Sequence, residues 1–459
     1  MSTIIKKGTI ATENVVYQAD VLIEKGKIAA IGNEINSDQA KIIDATGKYV
    51  IPGAVDAHTH LDLDAGIARA VDDFYSGTVA AACGGTTTII DHLAFGPKGC
   101  NLHHQIEEYH RLADGNAVVD YGFHGVVQQV NESILREMEE LVEAGIPSFK
   151  IYLTYDYKLN DAEVMRVLAK MKELGGVTAA HAENNDVINY LRKTFVEKGK
   201  TEPIYHALSR PSECEAEAVE RMLHLARLVG DAPLYIVHLS TAEGLQAVEK
   251  ARENGQQNIY VETCPQYLTL TEEKYLGANG AGLKYIMSPP LRKKKDCEML
   301  WQGVAEQQIE VIATDHCPFH FRKEKQLGKD DFTQCPNGAP GIEERVRVIF
   351  SEGVMKKRIS LEQFVAVMCT NPAKIYGLYP RKGTILPGSD ADIVIINPQK
   401  REILTKERIK GAVDYTVYEG LEVQGVIDLV MQRGKIIVED HTFLGQRGDG
   451  LFLQRKAER

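Results

Sequence analysis

Eight short apolar segments alternate with longer amphipathic segments through the middle of the chain, and this alternation constrains the fold more than any other feature. The apolar segments lie at residues 53–56, 86–91, 118–123, 148–152, 177–180, 234–237, 259–262 and 311–314. Between them, segments such as 134–144, 161–174 and 215–229 carry apolar residues at helical spacing. Strands that alternate with helices form a parallel sheet, and eight such strands close around a filled interior. We therefore predict an α/β fold, a (β/α)8 TIM barrel.

Both ends of the chain are predicted to be β structure. Near the N-terminus, apolar runs at 21–23 and 28–31 flank a glycine-containing turn, and the runs at 429–431 and 436–438 repeat this pattern. Because isolated hairpins bury too little surface to be stable, we expect the two ends to form one small β-sandwich. The predicted domains are the N-terminal portion of the sandwich at 1–52, the barrel at 53–379, and the C-terminal portion of the sandwich with a C-terminal tail at 380–459.

Composition and charge exclude several functional classes. The net charge of −11 argues against partners such as nucleic acids or anionic membranes, which require clustered Lys and Arg. No run approaches the roughly 18 apolar residues of a membrane span, and segment 1–20 lacks the continuous apolar core of a signal peptide. The eight cysteines are scattered without a C-x-x-C pair, which favours free thiols in a reducing cytoplasm over a disulfide framework.

Polar residues are concentrated at the ends of the predicted strands, on the barrel face where such enzymes build their sites. They are His58, His60, Lys150, His181, His238 and Asp315. Taken alone, a histidine at a strand end is more often structural, and Lys150 would extend towards solvent. Their joint occurrence on the correct strands indicates a metal site, because imidazole and carboxylate ligands suit divalent metals such as Zn²⁺. Strand alternation also places His58 and His60 on one side.

These residues lie in motifs that resemble those of the cyclic amidohydrolases. Segment 53–60 closely resembles the opening signature of that family. Further matching segments are 148–150, 181–184, 237–240, 264–268, 288–292, 313–316 and 337–341. The resemblance covers nearly the whole chain, is greatest to the hydantoinase and dihydropyrimidinase branch, and within that branch to bacterial phenylhydantoinases.

The resemblance implies two divalent metal ions per subunit, of the zinc type. His58, His60 and Asp315 would hold one ion, and His181 with His238 the other. Lys150 would be carboxylated on its side-chain nitrogen (N6-carboxylysine) and bridge both ions as an anion. A homotetramer is implied in the same way.

The resemblance also implies roles around the metals. Asp315 would move the proton during hydrolysis, and Tyr155 would donate a hydrogen bond to the developing oxyanion. Ser288 and Asn337 match positions that hold the cyclic imide, largely through backbone groups. His92, His124 and His316 lie near strand ends as well, and we expect them to be structural or to support the ligands.

The expected reaction is hydrolysis of 5-monosubstituted hydantoins, above all those with an aryl substituent, to N-carbamoyl amino acids, with D selectivity by analogy. Dihydroorotases carry an arginine where this chain has Asp62, so an acidic substrate would be repelled. Dihydropyrimidinase and then allantoinase remain alternatives, although segment 61–67 lacks the Pro-Phe pair usual in dihydropyrimidinases. A non-catalytic relative of the fold would have lost metal ligands, and this chain keeps every expected one.

Overall fold

Residues 2–457 are described in a computed structural model of the chain. The strands are β1 (Thr3–Ala11), β2 (Val16–Glu24), β3 (Lys27–Gly32), β4 (Lys41–Asp44), β5 (Tyr49–Pro52), β6 (Ala54–Thr59), β7 (Thr86–His92), β8 (Asp120–Val126), β9 (Ser148–Tyr152), β10 (Val177–His181), β11 (Leu234–Ile236), β12 (Ile259–Thr263), β13 (Val311–Ile312), β14 (Ile393–Ile403), β15 (Glu422–Gln432), β16 (Lys435–Glu439) and β17 (Thr442–Phe443). The α-helices are α1 (Phe74–Cys83), α2 (Leu102–Ala113), α3 (Glu132–Glu143), α4 (Asp161–Glu173), α5 (Asn185–Glu197), α6 (Ile204–Leu208), α7 (Ser212–Leu228), α8 (Ala242–Glu253), α9 (Pro265–Thr269), α10 (Lys294–Ala305), α11 (Arg345–Ile349), α12 (Leu361–Val365) and α13 (Asn371–Ile375). Shorter 3₁₀ and π-helical turns lie at Glu272–Leu276, Ala278–Tyr285, Glu324–Gly328, Phe332–Gln334, Phe350–Met355, Ala366–Thr370 and Lys406–Arg408.

The predicted barrel is confirmed, with its eight strands in the predicted order. Strands β6 to β13 form one sheet in which every neighbouring pair is parallel. The ring closes through the residues that follow β6 and β13, since the Asp315 amide donates to the His58 carbonyl at 2.9 Å and the His60 amide to the His316 carbonyl at 2.9 Å. The polar residues at the strand ends therefore take part in closing the barrel.

The strands of both chain ends form one mixed sheet of nine strands, in the order β17-β16-β15-β14-β5-β1-β2-β3, with β4 paired to β1. The two ends meet where β5 pairs antiparallel with β14, and Val50 lies opposite Ile395. Ile5, Val21 and Leu429 are buried in a single hydrophobic core that is separate from the barrel core. The prediction that both ends build one small β domain is confirmed, and the division at residues 52 and 380 stays a prediction.

The two predicted hairpins of the β domain have matching turns. Lys25 and Gly26 have φ of 49° and 78°, and Arg433 and Gly434 have φ of 43° and 75°. Two successive left-handed residues are typical of the hairpin turn whose twist suits the flanking strands. The turns also touch, because a Cβ on Gly434 would lie 3.1 Å from the Gly26 Cα. Glycine at this position thus allows the two hairpins to pack closely.

The β domain is fastened to the N-terminal end of a barrel strand. The buried Lys382 ammonium pairs with Asp120 at the start of β8 at 2.6 Å and with Asp392 beside β14 at 2.7 Å. The C-terminal tail adds a hydrogen bond from the Leu453 amide to the Tyr121 carbonyl at 2.7 Å. These contacts occupy the N-terminal end of the barrel, so the opposite mouth is left for the polar residues.

Within residues 2–457, none of the helices combines the length and the apolar character that crossing a membrane requires. The eight cysteines all carry free thiols, and each is buried except Cys100, which is partly exposed. This arrangement matches the prediction made from their scattered positions in the chain.

Candidate metal centre

The six residues expected to bind metal lie at the C-terminal mouth of the barrel. His58 is in β6 with His60 directly after it, Lys150 is in β9, and His181 ends β10. His238 and Asp315 follow β11 and β13 by a few residues, and both have left-handed backbones with φ of 40° and 55°. Residues other than glycine adopt such conformations at a cost in free energy, and they are common at functional sites.

His58, His60 and Asp315 form a compact triangle of potential ligand atoms. The Nε2 atoms of His58 and His60 are 3.2 Å apart, and each lies 3.1 Å from the Asp315 Oδ1. Both imidazoles are buried, and the Asp315 side chain is 13% exposed towards the mouth. Two imidazole nitrogens and a carboxylate oxygen converging on one point suit a divalent cation of the zinc type. The residues therefore fit a metal ion.

The second predicted pair of ligands faces the first across the mouth. His181 Nδ1 and His238 Nε2 are 2.9 Å apart, and the rings of His58 and His238 are stacked with centroids 5.4 Å apart. The His238 Nδ1 is buried and has no hydrogen-bond partner in the described part of the chain. All five histidine and aspartate ligands named from the sequence are thus brought to one end of the barrel.

Burial sets the protonation of these histidines. It lowers the pKa of His60 to about 4 and also lowers the pKa values of His181 and His238. Burial would lower the pKa of His58 as well, but the Glu262 carboxylate raises it overall. Burial alone would raise the pKa of Asp315, whereas the facing imidazoles hold it well below its usual value. His60, His181 and His238 are therefore neutral imidazoles, and Asp315 is an ionised carboxylate. These are the protonation states that bind metal.

Lys150 is almost completely buried among these ligands, at 1% exposure. Its ammonium forms no ion pair with any carboxylate of residues 2–457, and its Nζ lies 5.3 Å from the centroid of the Tyr152 ring. Burial lowers the pKa of Lys150 to about 8. A buried amine without a counter-ion is costly as a cation, so the site favours a form of this side chain that is not positively charged.

Glu262, at the end of β12, connects the two halves of the site. Its Oε1 accepts from His58 Nδ1 at 2.6 Å and from the His238 amide at 2.9 Å, and its Oε2 accepts from the Tyr235 hydroxyl at 2.8 Å. A carboxylate on the far nitrogen of an imidazole fixes the ring and makes the other nitrogen a better ligand. Sequence reasoning did not single out Glu262, although it closes a predicted strand.

Glu183 and Arg210 support His181 in the same manner. The Glu183 carboxylate is 2.8 Å from His181 Nε2 and forms a close ion pair with the Arg210 guanidinium. Burial would raise the pKa of Glu183, but Arg210 and His181 lower it to about 2. Neither residue was singled out from the sequence. Arg210 precedes a helix and lies far from any strand end, and Glu183 follows the end of β10 without a pattern that marks it as a partner of His181.

The neighbouring histidines are packed around the ligands as expected. His92 has its ring centroid 4.3 Å from that of His58 and 4.2 Å from that of His124. His124 is bonded to the Ser148 hydroxyl at 2.7 Å. His316 pairs with a carboxylate behind the site at 3.1 Å. These contacts agree with supporting positions.

Tyr155, Ser288 and Asn337, the residues expected to bind the substrate, lie near the entrance to the centre: Tyr155 is beside His181, and Asn337 closely precedes Ala339, which forms a β-bridge with His316. Tyr155 is half-buried, has φ of 71°, and places its ring 5.5 Å from that of His181. Burial raises the pKa of Tyr155, and the nearby Ser288 hydroxyl partly offsets this rise. The buried Ser288 hydroxyl forms no hydrogen bond of ordinary geometry within residues 2–457. Neither the backbone carbonyl of Ser288 nor the backbone N–H of Asn337 has a hydrogen-bond partner within residues 2–457. The entrance thus offers a free backbone acceptor and a free backbone donor, the pair that a cyclic imide can use.

An aromatic wall stands beside this entrance. We use that name for Phe95, Tyr152 and Tyr157. The Phe95 ring centroid lies 4.5 Å from that of Tyr157 and 5.0 Å from that of Tyr152. Phe95 lies in the loop after β7 and was not singled out from the sequence. That loop carries no periodic signal, which is why the sequence did not indicate it.

Comparison with known proteins agrees with this geometry. The chain matches the Amidohydrolase family over residues 49–437. It is 50% identical over 457 residues to the D-phenylhydantoinase of Escherichia coli O7:K1 (strain IAI39 / ExPEC), covering 99% of this chain and 98% of that protein. Among solved structures it is similar to a D-hydantoinase, with 45% identity, a TM-score of 0.98 and coverage of 100% and 99% of the two chains. It is also similar to the dihydropyrimidinase from Brevibacillus agri NCHU1002, with 43% identity, a TM-score of 0.98 and the same coverage. The similarity spans both the barrel and the β domain.

Proposed function

The chain belongs to the amidohydrolase family, a family of metal-dependent hydrolases, and from that premise we propose that it hydrolyses the cyclic amide bond of 5-monosubstituted hydantoins to N-carbamoyl amino acids. The observation that carries this proposal is the convergence of His58, His60 and Asp315 within 3.2 Å of one another, beside free backbone groups suited to an imide. Selectivity for the D enantiomer and for aryl substituents is included in the proposal and is supported by the names of the relatives.

We assign two divalent ions, of the zinc type, to this site. His58, His60 and Asp315 would hold one ion, and His181 with His238 the other. Lys150 would bridge them as its carbamate, formed when the neutral amine adds carbon dioxide and releases a proton. The buried Lys150 has no ion pair in the described part of the chain, which supports this assignment, because a carbamate replaces an uncompensated cation with an anion. When bound, the ions would supply the Lewis acidity that polarises a carbonyl and makes water reactive near neutral pH.

Asp315 is the group to which we assign the proton transfers. Its carboxylate would take a proton from the attacking water and return it to the departing ring nitrogen. The Oδ1 is held between the Nε2 atoms of His58 and His60 at 3.1 Å from each, and the left-handed backbone at Asp315 turns the side chain into the mouth. A base fixed in this way can reach both the water and the leaving nitrogen without a large movement.

Tyr155, Ser288 and Asn337 would bind and orient the substrate ring. The Tyr155 hydroxyl would donate to the oxyanion that develops on the scissile carbonyl. The Ser288 carbonyl would accept from the imide N–H, and the Asn337 amide would donate to an imide carbonyl. The absence of other partners for both backbone groups in the described chain supports this arrangement.

The aromatic wall supports the choice of an aryl substituent. An aryl group at position 5 of the ring could stack on Phe95 and Tyr157, whose centroids are 4.5 Å apart, and such aromatic contacts add to plain area burial. A dihydropyrimidine would not use this surface. Dihydropyrimidinase remains the second candidate activity, because one structural relative at 43% identity carries that name.

A panel of cyclic substrates tests the proposed activity directly. Metal-loaded protein is assayed with D- and L-5-phenylhydantoin, dihydrouracil and allantoin, and kcat/KM is measured for each. We expect the highest value for D-5-phenylhydantoin, with N-carbamoylphenylglycine as the product. A preference for dihydrouracil would assign the chain to the second candidate activity, and failure to open any of these rings would refute the proposal.

A homotetramer in the cytoplasm completes the proposal. Val187 and Tyr190 on α5 are exposed at 42% and 70%, and we assign them to a contact between subunits outside the site. Eight unpaired thiols fit a reducing compartment. Light scattering coupled to size exclusion measures the assembly: a mass near that of one 50.9 kDa chain would contradict it.

A further inference from the structure

Lys325 is a second buried lysine, and the proposed reaction does not use it. Its side chain is 0% exposed and forms no ion pair within residues 2–457. The Nζ donates to the Ile286 carbonyl at 2.7 Å and to the Pro336 carbonyl at 2.8 Å, and it lies 5.8 Å from the centroid of the Phe319 ring. An ammonium is costly to bury, so its presence between two neutral carbonyls calls for an explanation beyond packing.

The two carbonyls belong to the two segments that carry the free backbone groups at the entrance. Ile286 lies two residues before Ser288, and Pro336 directly precedes Asn337. The segments come from distant regions of the chain, and the Gly338 amide also joins them by donating to the Ile286 carbonyl at 3.0 Å. Lys325 therefore fixes the distance between the Ser288 carbonyl and the Asn337 amide.

The charge of Lys325 also acts on the Asn337 amide. The Pro336 carbonyl and the Asn337 N–H belong to the same peptide unit. A hydrogen bond from a cation to the carbonyl polarises that unit and makes its N–H a stronger donor, because hydrogen bonds in a chain reinforce one another. The Asn337 N–H has no acceptor in the described part of the chain, so this added strength is available to a ligand.

We propose that Lys325 is a positioning residue for substrate binding, which sets the spacing of the Ser288 and Asn337 backbone groups and strengthens the Asn337 donor. This inference rests on the proposed function, since it assumes that both groups hold the cyclic imide. These contacts exist in the ground state as well as in the transition state, so Lys325 contributes uniform binding. Its loss affects KM rather than kcat.

The test replaces Lys325 by Met and measures kcat, KM and zinc content with 5-phenylhydantoin. We expect KM to rise by about threefold to tenfold, because the Asn337 donor is weakened and its spacing from the Ser288 carbonyl is no longer fixed, with kcat changed less than about threefold and zinc content unchanged. The control is Ile393→Ala, which truncates a buried residue of the β domain core. It lowers stability far from the mouth, and KM should stay at the wild-type value.

The possible outcomes separate this inference from the proposed function. Wild-type protein that opens no hydantoin overturns both. An active wild type with an unchanged KM in Lys325→Met overturns only the role of Lys325, and so does a loss confined to kcat or a loss of zinc. If Lys325→Met does not fold, Lys325→Gln takes its place. Gln removes the charge and is one atom too short to bridge both carbonyls, so the same rise in KM is expected.

Discussion

Lys150 and Lys325 are both buried lysines that form no ion pair within residues 2–457, yet their surroundings differ. Lys325 points at two carbonyls, which accept from an ammonium, whereas Lys150 lies among imidazoles and the Asp315 carboxylate, where a cation competes with any metal. Residue type and burial alone therefore do not define a role. The neighbouring atoms do, and they support the proposed positioning ammonium at Lys325 and the proposed carbamate at Lys150.

Replacing Lys150 by Ala should lower metal content and activity together, because the site loses the anion that would bridge the two ions. Metal is measured by elemental analysis of the purified variant, and activity with 5-phenylhydantoin. Short carboxylic acids such as acetate or propionate should restore some of both, since they can occupy the space of the carbamate. Native metal stoichiometry in Lys150→Ala would rule out the bridging role.

Replacing Tyr155 by Phe should reduce kcat by about 10²–10³, as expected when one donor to a developing oxyanion is lost. The interaction strengthens in the transition state, so KM should change little. Tyr157→Phe is the matched control, because it removes a hydroxyl from the same loop without touching the proposed oxyanion. If only KM changed in Tyr155→Phe, the hydroxyl would be a ground-state contact.

Candidate ligands could be proposed from the sequence because the histidines and Asp315 end or follow predicted strands, and Lys150 lies within one. The same reasoning could not reach Arg210, whose position near His181 depends on how the loop before α7 returns to the mouth. Glu262 lies between these cases. Its place at the end of β12 was predictable. Its hydrogen bonds with His58 and the His238 amide depend on tertiary packing and were not.

At the scale of elements, strands were predicted more fully than loops. Barrel strands such as β7 (TTTIIDH) and β9 (SFKIY) are buried along their whole length, and their short β-branched or apolar segments alternate with helical patterns, which made them predictable. Loops carry no comparable pattern, since their conformation follows from the ends that they join. The loop after β7 therefore brought Phe95 to the entrance without any signal in the sequence.

Phe95→Ala tests whether this loop selects the substrate. Removing one ring from the aromatic wall should lower kcat/KM for 5-phenylhydantoin by about threefold to tenfold. This corresponds to losing one aromatic contact, which contributes about 0.5–1.5 kcal/mol beyond area burial. Unsubstituted hydantoin is the internal control, because it places no group on the wall, and its kcat/KM should not change. An equal loss with both substrates would show that Phe95 shapes the mouth rather than contacting the aryl group.

At the scale of the whole molecule, the similar hairpins at both ends of the chain predicted a shared β domain, and β5 paired with β14 makes that connection. The buried salt bridges of Lys382 could not be predicted. Its partners Asp120 and Asp392 belong to separate elements that meet only in the folded chain. These salt bridges lie at the N-terminal end of the barrel. The opposite end closes through the residues that surround the candidate metal centre.

That arrangement makes metal content and global stability depend on each other. The ring closes between β6 and β13 through hydrogen bonds of His58, His60 and Asp315, the same residues that would hold the first proposed ion. An ion bound there would join β6 to the residues that follow β13. It would bind the folded chain far better than the unfolded one. Free metal at a hundredfold excess over its Kd stabilises a protein by about 2.7 kcal/mol.

We therefore expect a chelator to lower the Tm of the wild-type protein, measured by scanning calorimetry, and added zinc to restore it. His58→Ala is the control, because it removes one of the residues that would hold the ion between β6 and β13. Its Tm should be lower from the start and respond little to the chelator. A wild-type Tm that stays constant while the chelator abolishes activity would separate the two properties, and the ions would then serve the chemistry without closing the barrel.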